Sequence, residues 1–241
     1  MQFRHILIAT ALCAGVAAAE DDDRVIEGSA PVGATSRLTL DAGVGSITVK
    51  AGAPDTVRWR VALEADVHGG WFSSKRNRRD VEAAIAAAKV EASVHGDALE
   101  LLLDLPRGTD EDDIEQRWTI EVPAAFGARV ALDVGELKVS GLGGGVRASV
   151  DVGSIQLDLT RGAVEATVDV GSIDIVTRET TSGDIDLEAD VGDVDLELDG
   201  RRIRNEHGYG PGESLRLTGK GGDRVRARVD VGDIDAAIGK R

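Results

Sequence analysis

The feature that most constrains this chain is a repeat. Residues 146–157 read V-R-A-S-V-D-V-G-S-I-Q-L, and 18 residues later residues 164–175 read V-E-A-T-V-D-V-G-S-I-D-I. Eight of the 18 aligned positions are identical. Equivalent turn glycines stand at Gly135, Gly153, Gly171, Gly192 and Gly232, giving steps of 18, 18, 21 and 40 residues. The last step is about two units, so a degenerate unit is expected within 200–224, with the glycine-rich 207–212 leaving it as a loop. An earlier V-G-S-I at 44–47 spells the same turn.

Within each unit the apolar residues alternate, shift by one at the glycine, and alternate again. Ala148, Val150 and Val152 are expected to face one way, and Ile155, Leu157 and Leu159 to face the same way beyond Gly153. Such a shift marks a corner, where glycine tolerates positive φ. In D-V-G-S-I the aspartate is expected to satisfy the turn and the glycine to make it, while valine and isoleucine fill the core.

Eighteen extended residues trace roughly 60 Å at ~3.3 Å each, about one lap around a narrow apolar core. One unit cannot bury its inner face alone, but units stacked at ~4.8 Å can. The fold expected is all-β: a single-stranded β-helix or solenoid with ~18–21-residue coils and an irregular N-terminal part carrying one short helix. Val150, Val168, Ala189 and Val229 should form one inner column, and Ile155, Ile173, Val194 and Ile234 another. An antiparallel sandwich or meander is the rival arrangement. With aromatics at only 3% and 30 glycines, the core must be aliphatic and the turns many.

Four regions are expected. Residues 1–19 read as a signal peptide: Arg4, an apolar stretch over 6–16, and Ala17, Ala18 and Ala19 before the cleavage point. Residues 20–36 read as a flexible leader opening with the acids 20–23. Residues 37–127 form a β-rich portion with a helical excursion at 80–88, a strand at 56–66, a hairpin turning at 95–97, and a strand at 117–122. Residues 128–241 form the regular repeats. After residue 19 the sequence contains no cysteine, and no later apolar run is long enough to span a bilayer. The formal charge of −15 and pI near 4.7 argue against nucleic-acid binding and against adsorption to anionic lipid.

The G-[SDE]-[ILV]-x-[ILV] series resembles the DUF4097 "putative adhesin" family of secreted bacterial β-repeat proteins. Residues 117–123 (R-W-T-I-E-V-P) and 128–144 (A-R-V-A-L-D-V-G-E-L-K-V-S-G-L-G-G) are similar to that family's passage into its repeats. The resemblance covers residues 38–238. It implies a β-helix at the cell envelope, in the periplasm or on the surface, with no catalytic residues to carry over.

Several groups of side chains are candidates for chemistry. Asp133, Asp151, Asp169, Asp190 and Asp230 recur two residues before each turn glycine, which fits either a calcium ladder or solvated corner aspartates. Residues 184–199 hold eight acids and no base, and 200–228 hold eight bases. That pattern suits charge compensation between neighbouring coils, Arg147 beside Glu165 for instance, or an acidic face meeting another molecule. Trp71 and Phe72 with Lys75, Arg76, Arg78 and Arg79 suit a cap over an open end or a docking loop. His68, His95 and His207 stand apart from any nucleophile or second ligand.

The sequence therefore assigns no catalytic, cofactor or metal residue. It describes a non-enzymatic exported envelope protein, a solenoid scaffold or adhesin-like surface module with an envelope protein or polysaccharide as partner. A carbohydrate-active β-helix enzyme using acidic residues, and a calcium-stabilised binding module, stay open as alternatives.

Overall fold

The computed structural model describes residues 24–66, 75–178, 183–203, 211–219 and 221–239. Its strands are β1 (Arg24–Pro31), β2 (Arg37–Gly52), β3 (Thr56–Ala65), β4 (Lys89–His95), β5 (Ala98–Asp104), β6 (Ile114–Pro123) and β7 (Gly127–Ser140), then β8 (Val146–Leu159), β9 (Val164–Thr177), β10 (Ile185–Val191), β11 (Val194–Leu198), β12 (Arg201–Ile203), β13 (Glu213–Leu217) and β14 (Val225–Ile238). A single described α-helix, α1 (Lys75–Ala87), lies between β3 and β4. The fold is all-β, built on one open mixed sheet ordered β1-β3-β6-β2-β7-β8-β9-β14-β10-β13.

The heart of the sheet is parallel and in register. β2 pairs with β7, β7 with β8, and β8 with β9, so that Gly45, Gly135, Gly153 and Gly171 stand side by side. Each of these strands runs unbroken through its glycine, and the burial alternation changes phase there. On β8, Val146, Ala148 and Val150 are buried before the bend, and Ile155, Leu157 and Leu159 after it. The corner thus folds one strand around a core lined by both of its legs. Connections of a few residues join β7 to β8 and β8 to β9, and Leu142 in the first of them is fully buried.

Both expected inner columns are buried, with Val150, Val168, Val229 and Ala189 on one leg and Ile155, Ile173, Ile234 and Val194 on the other. Their spatial order differs from the sequence order. The C-terminal strand β14 lies between β9 and β10–β11, pairing parallel with all three. Units follow one another as expected from β7 to β9, and the succession breaks there. Among the described residues of 200–224, no degenerate unit continues the stack. Instead β12 pairs antiparallel with β11, and β13 antiparallel with β10, so this stretch borders the far edge of the sheet.

The N-terminal end differs too. Residues 24–31, expected within a flexible leader, form β1 and pair along their whole length with β3. Their polar composition suits an edge strand with one solvated face. β2, expected outside the regular repeats, is a full member of the stack. Its other side is covered by two separate strands, β5 on the first leg and β6 on the second. The helix starts at Lys75, five residues before the expected position, and has no acid in its first turn. It buries Val81, Ala84 and Ile85 against the core, and Arg24 Nη1 donates to the Ile85 carbonyl at 2.8 Å. Trp59 and Trp118 are both buried in the same core as Val81 and Ile85 of α1. The Trp118 indole N–H donates to Gln116 Oε1 at 2.9 Å, satisfying the polar edge of a fully enclosed ring.

Candidate functional site

The recurring Asp-Val-Gly motif sits at the corner, and only its glycine serves the fold directly. Gly135, Gly153, Gly171 and Gly232 have φ between +139° and +146°. A Cβ on Gly153 would lie 1.8 Å from the Gly135 carbonyl oxygen, and the other stacked glycines meet the same obstacle. The residue before the glycine faces outward: Val134, Val152, Val170, Val191 and Val231 are 44–48% exposed. The expectation that Val152 faces the core is therefore corrected. Two consecutive residues lie on the outside where the strand bends, and these valines shield one another laterally along a ridge at ~4.8 Å spacing.

The aspartate column is likewise outward. Asp133, Asp151 and Asp169 accept no hydrogen bond from the turn among the described residues, so the expected turn-satisfying role is not seen for them. Partial burial, then Asp151, Asp41, Asp112 and Glu111, push the Asp133 carboxyl above its ordinary range. No three His, Cys, Asp or Glu side chains converge on a metal-sized site among the described residues.

Charge on the first leg is organised in a row. Thr39, Arg129, Arg147, Glu165, Arg226, Asp186 and Arg216 occupy successive strands from β2 to β13. Arg147 Nε donates to Glu165 Oε2 at 2.8 Å, as the 18-residue spacing predicts. Arg216 Nε donates to Asp186 Oδ1 at 2.9 Å, and Arg226 lies 3.7 Å from Asp186. One step further along, Arg228 reaches Asp190 at 2.7 Å and Glu188 at 3.6 Å. Asp184 accepts from the Gly219 N–H and from Arg224, and these two contacts hold its carboxyl below the usual range. The acidic segment thus finds many of its counter-charges in its own chain, although solvent screening leaves such exposed pairs little weight in stability.

The second leg is less balanced. Asp174, Asp235 and Asp195 stand side by side on β9, β14 and β11. Partial burial, then Asp174 and Asp195, raise the Asp235 carboxyl above its ordinary range. Its ionisation therefore opposes folding. The wild type should gain stability as pH falls through the raised Asp235 pKa, and lose that gain as pH rises. Asp235→Asn is expected to raise Tm at pH 7 and to flatten the pH dependence below it. Solvent screening limits the effect to about 0.5 kcal/mol, roughly 1–2 °C for a chain of this size. Thermal melts at pH 7 and pH 4 check it; equal melting at pH 7 would remove Asp235 as a source of repulsion.

One concave region stands out. A groove of about 450 Å³ crosses the first leg near its start, lined by Arg37, Arg129, Arg147, Arg224 and Arg226 around Glu165. Its floor is small: Gly127, Ala128, Gly144, Gly145 and Ala163. Arg37, Arg147 and Arg224 pair with Asp97, Glu165 and Asp184. Arg129 forms no ion pair among the described residues. No contiguous stretch of the sequence marks this groove. The signal lay in the register, since Arg129, Arg147 and Arg226 occupy one position of the repeat.

The remaining candidates are dispersed. Trp71, Phe72, His68 and His207 lie outside the described residues. Arg78 and Arg79 belong to α1, where Arg78 pairs with Glu82 at 3.1 Å. His95 lies at the hairpin turn, 3.1 Å from Glu100. Pro211 and Gly212 return to the stack, the Pro211 carbonyl accepting from the Gly192 N–H at 2.9 Å.

The class this structure defines is an all-β protein with a parallel, in-register strand stack bordered by antiparallel strands. A crystal structure described as a "putative cell adhesion protein" from Clostridium sporogenes shares this fold, with TM-score 0.54 and 14% identity over 89% of this chain and 99% of that one. A "putative adhesin" from Bacteroides fragilis is also similar, with TM-score 0.32 and 13% identity over 88% of this chain and 97% of that one. No family model matches the sequence, and no curated protein is similar to it.

Proposed function

We propose that this chain is an exported, non-enzymatic, adhesin-like module of the DUF4097 type, in which a single-stranded β-helix presents the arginine groove to acidic polysaccharide of the cell envelope. The in-register parallel pairing and stacked corner glycines support the β-helix form. The Ala-rich N-terminus supports export, and the name of the structural neighbour fits an adhesive role. The observation that carries the binding reading is the groove itself: five arginines around one glutamate, in a chain of net charge −15. Guanidinium forks match carboxylates bidentately, and the small floor leaves room for a chain of sugar rings.

Binding should depend on charge and on Arg129. The chain should be retained by an immobilised polyuronate at low salt and released as ionic strength rises. Arg129→Glu should weaken retention at least tenfold while leaving Tm within about 1 °C, because this exposed residue forms no ion pair among the described residues. Equal retention on a neutral glucan, or an Arg129→Glu chain that binds like wild type, would reject the groove as the binding site.

A further inference from the structure

The placement of β14 has a consequence for assembly. The C-terminal strand is not added to the end of the stack; it fills a slot whose walls, β9 and β10–β11, come earlier in the chain. It pairs with β9 at 13 positions, with β10 at six and with β11 at five. Val225, Ala227, Val229, Ile234, Ala236 and Ile238 are all buried within it. A strand held on both sides along its length supplies much of the cohesion of this half of the molecule.

The slot resists simple closure. β9 and β10–β11 each pair with β14 in the same register, so bringing them directly together would place Glu165 against Asp186 and Asp174 against Asp195. Like charges directly opposite on neighbouring strands are destabilising. β14 inserts Arg226 between Glu165 and Asp186, while Arg228, opposite Thr167 on β9, reaches Asp190 and Glu188 on the β10 side. The electrostatic match is confined to that leg, because on the second leg Asp235 itself lies between two aspartates. What the slot accepts is thus defined: a parallel strand with apolar residues inward, glycine at the corner, and bases outward before it.

We infer that this slot also accepts β14 of a second copy, so that chains join by exchanging their C-terminal strands. During synthesis the walls are complete before β14 exists, and any β14 within reach meets the same partners. The segment before it carries Gly219, Gly221 and Gly222, the last two at φ +113° and +103° with no bulky neighbour at Gly221, which suits a hinge. Exchange keeps every strand pair and every buried side chain of β14, and such swapping is a low-cost route to association.

Val176 and Ala237 are opposite residues on β9 and β14, both partly exposed and outside the charged rows. In a full chain carrying Cys13→Ser, one variant receives Val176→Cys and a second, made heavier by a tag, receives Ala237→Cys. The two are unfolded, mixed, refolded together at rising protein concentration and oxidised. Exchange yields disulfide heterodimers at least tenfold in excess of either homodimer, increasing with concentration. It yields few when the variants are refolded apart and then mixed. A chain carrying both cysteines, oxidised before mixing, keeps its own β14 and stays monomeric. Co-refolded variants that remain monomeric with free thiols, or homodimers as abundant as heterodimers, would overturn the inference. Because this readout is independent of polysaccharide, it stands or falls separately from the groove.

Discussion

Gly153→Ala is expected to destabilise the protein by more than about 4 kcal/mol, beyond the usual range for a single substitution. Two costs combine at this position. The backbone φ of +143° lies where side chains are rarely accommodated, a penalty of about 1–3 kcal/mol. The new methyl carbon would also stand 1.8 Å from the Gly135 carbonyl oxygen, so β7 and β8 must separate at their corner and strain the pairing on both legs. Gly221→Ala isolates the first cost, because Gly221 has φ +113° and nothing within 4 Å of the added carbon. Denaturant unfolding of the two variants should place Gly153→Ala well below Gly221→Ala. Similar losses would mean that φ alone, and not the close approach of stacked strands, demands glycine at the corner.

This contrast also shows which parts of the fold are legible in the sequence. A glycine that must be glycine recurs at a fixed interval, so the 18-residue steps reveal the stack and its register directly. Inner columns follow because apolar alternation on each side of Gly153 has one consistent inward face. Alternation misleads at Val152, where the bend leaves two successive residues outside. A valine there reads like a core residue because β-branched side chains suit an exposed ridge as well as an interior.

Spatial order is less legible, since the 21- and 40-residue steps measure chain length and not adjacency. The clue to the inserted strand was electrostatic: Glu165 and Asp186 occupy equivalent positions, as does Arg226, and only an order that places arginine between them alternates charge. The arginine groove was hidden similarly. Its members lie far apart in sequence and become neighbours only when β2, β7, β8, β9 and β14 are laid side by side. Residues 24–31 are hard to read as a strand because an edge strand with one wet face needs few apolar residues.

Whether the inward and outward faces are assigned correctly is tested by introducing the same charge three residues apart. Ile173 on β9 is fully buried between Ile155 and Ile234 in its column. Ile173→Asp forfeits about 1.5–3 kcal/mol of apolar burial and adds the several kcal/mol needed to desolvate a carboxylate, or to protonate it, without a partner. The stack should lose cooperative unfolding around β8, β9 and β14, with Tm lowered by more than about 10 °C. Val170 on the same strand is 48% exposed. Val170→Asp should cost no more than about 1 kcal/mol, chiefly from repulsion by the neighbouring Asp169 and lost contact with Val152 and Val231. A Val170→Asp chain as unstable as Ile173→Asp would mean that the valine ridge is buried in the folded protein. An Ile173→Asp chain melting like wild type would mean that the second leg does not face the core.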